Sequence, residues 1–232
     1  MMPAPAVHTR QEGPHVGLQN LVFRHAGTSW GAPCPEHTSR AFETLHRLVD
    51  PHKQEVVLDL GCGTGESTCA LAAQFPLHLV LGIDRSEHRL RRAAQRSCPE
   101  NARFVRCDAA HFCALACEAG WEISHLYFLY PNPYPKARHL RRRWHGHPIF
   151  PTLARIPAVL EMRSNWDVYA REFELGLIAL GRDVRVLPVE HGTPISAFER
   201  KYMARGDSCI KVRSLPSRDH GVHASGGASV AR

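Results

Sequence analysis

The segment Val57-Leu58-Asp59-Leu60-Gly61-Cys62-Gly63-Thr64-Gly65-Glu66 constrains this chain more than any other. An apolar run that reads as a buried strand passes directly into three glycines at alternate positions, and then into a helical stretch. Glycine allows the tight turn and lets a ligand approach the main chain. Strand and helix signals keep alternating downstream. Strands are predicted at Val56 to Leu58, His78 to Ile83, Phe104 to Val105, Ile123 to Tyr130, Ala158 to Met162, Val184 to Val189 and Cys209 to Val212. Helices are predicted near Pro148 to Ile156 and from about Trp166. This alternation predicts an α/β fold built on a parallel, doubly wound sheet.

The flanks read differently. Residues 1–50, rich in Pro, Gly and His with one helical pattern from Thr38 to Val49, predict an N-terminal arm and a lead-in helix. Residues 51–214 form the expected domain, and residues 215–232, poor in large apolar side chains, the expected disordered tail. With 44% hydrophobic residues over 232 positions, the chain can bury one sizeable core. No run approaches the ~18 apolar residues of a membrane span, and the start lacks the apolar centre of a secretory signal. The expectation is a soluble, cytoplasmic protein whose eight cysteines are free thiols. His111, Cys113 and Cys117 match no common zinc spacing, so no metal is expected.

The glycine turn is not that of a dinucleotide site, whose third glycine would stand where this chain has Glu66. Asp59 and Glu66 would repel a pyrophosphate, whereas they suit a ligand with an ammonium group nearby, such as S-adenosylmethionine. Asp84 ends the second strand 23 residues beyond Gly61, the interval at which an acid accepts ribose hydroxyls. Asp108, after the third strand, is placed for the adenine amino group. The D-x-G-x-G-x-G pattern resembles that of class I S-adenosylmethionine-dependent methyltransferases. That resemblance implies a mostly parallel, seven-stranded Rossmann-like sheet, with Asp59, Gly61, Gly63, Gly65, Asp84 and Asp108 binding the cofactor.

Ligands of such sheets lie beyond the carboxyl ends of the central strands, which makes the loop after Tyr130 the expected acceptor side. It reads Tyr130-Pro131-Asn132-Pro133-Tyr134-Pro135-Lys136-Ala137-Arg138-His139-Leu140-Arg141-Arg142-Arg143. This resembles the P-D-P-W-x-K-x-R-H-x-x-R-R signature of bacterial transfer-RNA (guanine-N7) methyltransferases. Arg163-Ser164-Asn165-Trp166-Asp167-Val168-Tyr169 is similar to that family's T/S-D-W-x-x-Y segment, and Ser196-Ala197-Phe198-Glu199 to its T-x-F/Y-E segment. The resemblance spans Val56 to about Arg205. It implies Asn132 at the catalytic-loop position and Lys136, Asn165, Ser196 and Glu199 as substrate-binding residues. Asn132 and Asn165 stand where the family has Asp, Tyr134 where it has Trp, and Ser196 where it has Thr. The family's N-terminal R-x-G-R-x-T segment has only a poor counterpart at His25 to Trp30.

Charge bears on the partner. A net charge of +7 rests on 29 basic residues, all Arg except Lys53, Lys136, Lys201 and Lys211. Lys136, Arg138, Arg141, Arg142 and Arg143 crowd beside the acceptor loop, which predicts phosphate contact, with Arg141 binding substrate. Arg85, Arg89, Arg91, Arg92 and Arg96 read as a solvated helix face. The expected function is methyl transfer from S-adenosylmethionine to N7 of a guanosine in tRNA. Two alternatives stay open, a diverged relative that methylates a small purine or other metabolite and an RNA-binding protein without catalysis. Monomer and homodimer are equally open.

Overall fold

The computed structural model describes residues 7, 9–49, 54–190 and 192–216. Most of the predicted tail therefore lies outside the described residues. One seven-stranded sheet organises the chain, in the order β3-β2-β1-β4-β5-β7-β6. Its strands are β1 (Val56–Leu60), β2 (Leu79–Asp84), β3 (Ala102–Arg106), β4 (Ile123–Leu129), β5 (Val159–Ser164), β6 (Val184–Pro188) and β7 (Ile210–Ser214). β1 to β5 pair in parallel, and β7 alone runs against its neighbours β5 and β6. All seven predicted strands are present, to within a few residues at their ends.

Period-two alternation divides the central strands between two apolar layers. Val56, Leu58 and Leu60 of β1, with Leu81 and Ile83 of β2 and Leu126 and Phe128 of β4, share one core with α2 (Glu36–Leu48), α5 (Ala109–Glu118), α6 (Phe150–Arg155) and α7 (Asp167–Ala179). Val57, Val80, Tyr127 and Leu129 face the other way and meet Leu71 and Ala72 of α3 (Glu66–Gln74). Because both faces are covered, β1 and β2 are buried along their whole length, which is why they read as apolar runs up to the acids near their ends.

The chain leaves β1 toward β2 and β3, then returns to place β4 on the other side of β1. Neighbouring connections thus depart in opposite directions, and a crevice opens at the carboxyl ends of β1 and β4. Two helices precede the sheet. The lead-in helix is α2, offset from the predicted Thr38 to Val49, while α1 (Leu18–Ala26) forms inside what reads as arm and seats Leu18, Leu21 and Val22 against Leu140, Leu175 and Leu180. One thiol expectation is corrected. Cys69 on α3 and Cys98, in the connection to β3 beyond α4 (Glu87–Ala93), are joined in a disulfide with Cα atoms 4.9 Å apart. That pairing links two separate segments, so it leaves no spacing signal. Among the described residues, no helix is long and apolar enough to cross a membrane.

Candidate active site

The carboxyl ends of five adjacent strands line one cavity of about 820 Å³. Leu60 and Gly61 come from β1, Ile83 and Asp84 from β2, Cys107 and Asp108 from β3, Leu129 and Tyr130 from β4, and Ser164 and Asn165 from β5. Of the residues singled out from the sequence, Gly61, Asp84, Asp108, Asn132, Arg141 and Asn165 border this cavity. Asp59, Gly63, Gly65, Lys136, Ser196 and Glu199 stand behind or beside it.

The wall built from β1 to β3 is a set of carboxylates fixed by main-chain donors. Gly61, Gly63 and Gly65 all adopt left-handed backbone, with φ of 88°, 58° and 78°. A side chain at Gly65 would also strike the Phe104 ring at 2.6 Å. Asp84 accepts from the Gly63 N–H at 3.0 Å and the Ser86 N–H at 2.7 Å, which joins the glycine turn to the end of β2. Asp108 caps α5 by accepting from the Ala110 and His111 N–H groups, and its Oδ1 also meets the His111 ring at 2.9 Å. Burial alone would raise its pKa, but the bonds from His111 and the charge of Arg85 hold it below the ordinary carboxylate value. Asp59 is 1% exposed and accepts from Ser67 at 2.6 Å and Thr68 at 2.7 Å, so it ties the first turn of α3 to β1. Desolvation pushes its pKa up to about 6.

The basic run from Arg85 to Arg96 is exposed, as expected of a solvated face, and Arg85 and Arg89 also reach the cavity. Both border the cavity, Arg85 lying 3.7 Å from Asp108 and Arg89 3.4 Å from Asp84, so two guanidinium groups offset the two acids. The helical spacing of the run is visible in the sequence, whereas the direction of its first turn is not. Arg96 is also engaged, donating to the Thr64 carbonyl at 2.6 Å.

The opposite wall is the proline-rich loop. Tyr130 and Tyr134 bracket it with φ of 51° and 44°, a conformation that a bulky side chain rarely adopts and that costs of order 1–3 kcal/mol each. Burial and cross-linking hold Tyr130 in place. The Tyr130 hydroxyl donates to Glu199 at 3.0 Å, and Glu199, 1% exposed, also accepts two bonds from Arg163 at 3.0 Å and one from the Ile195 N–H at 3.2 Å. Ser196 accepts from the Glu199 N–H at 3.1 Å and caps α8 (Ala197–Ala204). The Ser196-Ala197-Phe198-Glu199 motif is thus a capping arrangement that braces Tyr130 from behind. From α8, Phe198 and Tyr202 add aromatic lining that the motif alone does not assign.

Asn132 accepts from the Tyr134 N–H at 3.3 Å. Asn165 donates its amide to Asp207 at 3.2 Å, which places a carboxylate directly behind the position where this chain has an amide. Of the five basic residues beside the loop, Arg141 and Arg142 border the cavity and are exposed. Lys136 and Arg138 line a neighbouring groove with Arg10 and His15. Arg143 corrects the expectation of phosphate contact. It is fully buried, paired with Glu172, and stacked 4.9 Å above Trp166.

The sequence profile of a family described as "Putative methyltransferase" matches residues 53–173, just over half of the chain. The chain belongs to this methyltransferase family. A tRNA (guanine-N(7)-)-methyltransferase of Leifsonia xyli subsp. xyli is 29% identical over 173 residues, covering 68% of this chain and 76% of its own. One of the same name from Treponema pallidum is 28% identical over 206 residues, covering 82% and 81%. These names agree with the resemblance carried by the acceptor-loop motifs. Among solved structures, an antibiotic-related methyltransferase superposes with a TM-score of 0.51 at 17% identity, covering 82% of this chain and 97% of its own. A 16S rRNA (adenine(1408)-N(1))-methyltransferase variant from Catenulisporales acidiphilia, solved with its cosubstrate S-adenosylmethionine, gives a TM-score of 0.51 at 17% identity, covering 84% and 96%. At these identities the superpositions establish the Rossmann-like methyltransferase fold. The donor set of this methyltransferase's cavity fits S-adenosylmethionine, with a carboxylate at the end of β2 for hydroxyls, a second at the end of β3 for an amino group, and a glycine turn open to a close ligand.

Proposed function

We propose that this chain transfers a methyl group from S-adenosylmethionine to N7 of a guanosine in tRNA, in the cytoplasm. The observation that carries the reading is the meeting, in one cavity, of the Gly61, Asp84 and Asp108 wall with Asn132 and Asn165, beside the exposed Arg141 and Arg142. Asp84 and Asp108 would hold the ribose and adenine of the cofactor, which supplies an electrophilic methyl on a sulfonium. Asp59 supports this wall through Ser67 and Thr68 at the start of α3.

Guanine N7 carries an in-plane lone pair and needs no general base before it attacks. The residues of this chain therefore have to position the base, exclude water and offset the positive charge that develops on it. Acceptors aimed at N1–H and the exocyclic amine serve both ends. Asn165 donates one amide hydrogen to Asp207, which orients the side chain and keeps a negative charge one hydrogen bond behind its accepting carbonyl oxygen. Asn132 contributes an uncharged acceptor, and Arg141 and Arg142 contact backbone phosphate.

The experiment is transfer of labelled methyl to total tRNA lacking N7-methylguanosine, with nucleoside analysis of the product and a small-molecule extract as parallel acceptor. Label in N7-methylguanosine is expected. The two amides in place of acids favour, as a second reading, a smaller acceptor, and label found only in the extract would select it. No transfer by a protein that still binds cofactor would leave a binding protein. Asn132→Asp is expected to raise N7 transfer several-fold, because charge-assisted bonds are roughly twice as strong as neutral ones; a fall would mark Asn132 as adapted to a different acceptor.

A further inference from the structure

Behind the acceptor loop lies a buried polar cluster that the transfer chemistry does not use. The Arg143 side chain is fully buried, and each of its three nitrogens donates to an acceptor. Nη1 donates to Glu172 Oε2. Nη2 serves Gln11 Oε1 at 2.9 Å, the Tyr134 carbonyl at 3.0 Å and the Lys136 carbonyl at 3.4 Å, while Nε reaches the Tyr134 carbonyl at 3.3 Å. Glu172, on α7, is equally committed. Its Oε1 accepts from Gln11 Nε2 at 2.7 Å and the His15 N–H at 2.9 Å, and its Oε2 meets His145 Nε2 at 2.8 Å. Burial alone would raise the Glu172 pKa, but His145 and Arg143 hold it down to about 2. The Gln11 amide closes a ring, accepting from Arg143 with its oxygen and donating to Glu172 with its nitrogen.

A buried ion pair is weak support for stability, because desolvating two charges offsets most of their attraction. What the cluster does is join three segments distant in the chain, the N-terminal arm at Gln11 and His15, the acceptor loop at Tyr134 and Lys136, and α7. It also holds the carbonyl of a strained residue. Tyr134 sits at φ 44°, and such a conformation persists only where its surroundings over-determine it. Two N–H groups of Arg143 on the Tyr134 carbonyl, with Asn132 on the Tyr134 N–H, supply that constraint.

We infer that Arg143 is a positioning residue of the acceptor loop, and that Gln11 and Glu172 make its action depend on the docked N-terminal arm. The arm is then part of the active site without reaching into the cavity. A second tie agrees with this, since the Thr9 hydroxyl donates to the Pro135 carbonyl at 2.7 Å. The inference rests on the loop being the acceptor side, as proposed above.

The test uses the full chain with Gln11→Leu, which opens the ring while leaving the Arg143–Glu172 pair intact. The substitution removes both Gln11 bonds of the ring; hydrogen exchange of the 134–143 segment is expected to quicken, and kcat for methyl transfer to tRNA to fall about tenfold, as when part of their net worth reaches the loop. KM and S-adenosylmethionine affinity should stay within about threefold, since neither substrate touches Gln11. The decisive readout is coupling to Tyr134. Glycine adopts φ 44° without strain, so in a Tyr134→Gly background Gln11→Leu should cost less than about threefold. Equal losses in both backgrounds, or a loss seen in cofactor affinity, would overturn the inference, as would unchanged exchange of the loop. A wild-type protein that methylates no RNA, while its loop exchange still responds to Gln11→Leu, would overturn the acceptor assignment and sustain the coupling.

Discussion

Asp59 makes stability depend on pH in the direction opposite to that of an ordinary salt-bridged acid. Its carboxylate is 1% exposed, and burial raises its pKa from 3.8 to about 6 against the opposing bonds from Ser67 and Thr68, with the nearby charge of Asp84 adding to the rise. Between those two values the folded protein keeps a proton that the unfolded chain has released, so stability falls as pH rises through this window and is constant above it. A gap of about two pH units at about 1.36 kcal/mol each amounts to roughly 3 kcal/mol. Asp59→Asn cannot ionise. The unfolding free energy of Asp59→Asn minus that of the wild type should therefore climb by roughly 3 kcal/mol between about pH 4 and pH 7, whatever constant offset the altered hydrogen bonds introduce. Carboxylates held low, such as Glu172 and Asp108, titrate in both proteins and cancel. Urea unfolding at several pH values, with equal m-values confirming two-state behaviour, measures the difference. A difference that is flat or that falls with pH would refute the argument that desolvation dominates at Asp59.

The site carries three further expected outcomes. Asp84→Ala removes the acceptor of the Gly63 and Ser86 N–H groups, so cofactor dissociation constants by calorimetry should rise at least about tenfold; unchanged affinity would remove Asp84 from the cofactor wall. Gly65→Ala combines left-handed backbone with contacts of 2.6 Å to Phe104 and 2.7 Å to Ala93, and should lower stability by about 2–4 kcal/mol in denaturant titration, whereas an unmoved midpoint would show that the turn relaxes freely. Arg141→Ala and Arg142→Ala should each weaken tRNA binding and reduce the slope of log affinity against log salt by about 1, with cofactor binding unchanged. A slope that stays put would take both side chains off the RNA path.

Much of the molecule is legible in its sequence because the deciding patterns are local. Buried strands announce themselves as apolar runs at β1, β2 and the second half of β4, and three glycines with positive φ announce the turn beyond β1. The acids at the ends of β2 and β3 can be placed by counting, since strand ends in a parallel sheet share one edge. The acceptor loop is legible for a similar reason, because three prolines in five residues stop a strand and stiffen the backbone beyond it.

Only the tertiary structure decided what each charged side chain does. Arg141, Arg142 and Arg143 are consecutive and chemically identical, yet the first two face the cavity and the third is buried against Glu172, 29 positions away in the chain. Arg85 and Arg89 belong to a run that reads as a solvated helix face and is exposed, yet only the packing shows that these two also border the crevice beside Asp108 and Asp84. Gln11 reaches Glu172 across 161 residues, and Cys69 finds Cys98 across 29. The same distinction separates Asp59 from Asp84, both strand acids beside the glycine turn, of which one is enclosed by hydroxyls of α3 and the other borders the cavity. Local sequence fixes backbone conformation through sterics and periodicity, whereas burial and charge pairing depend on which distant segment packs alongside, and that is settled only when the layers close.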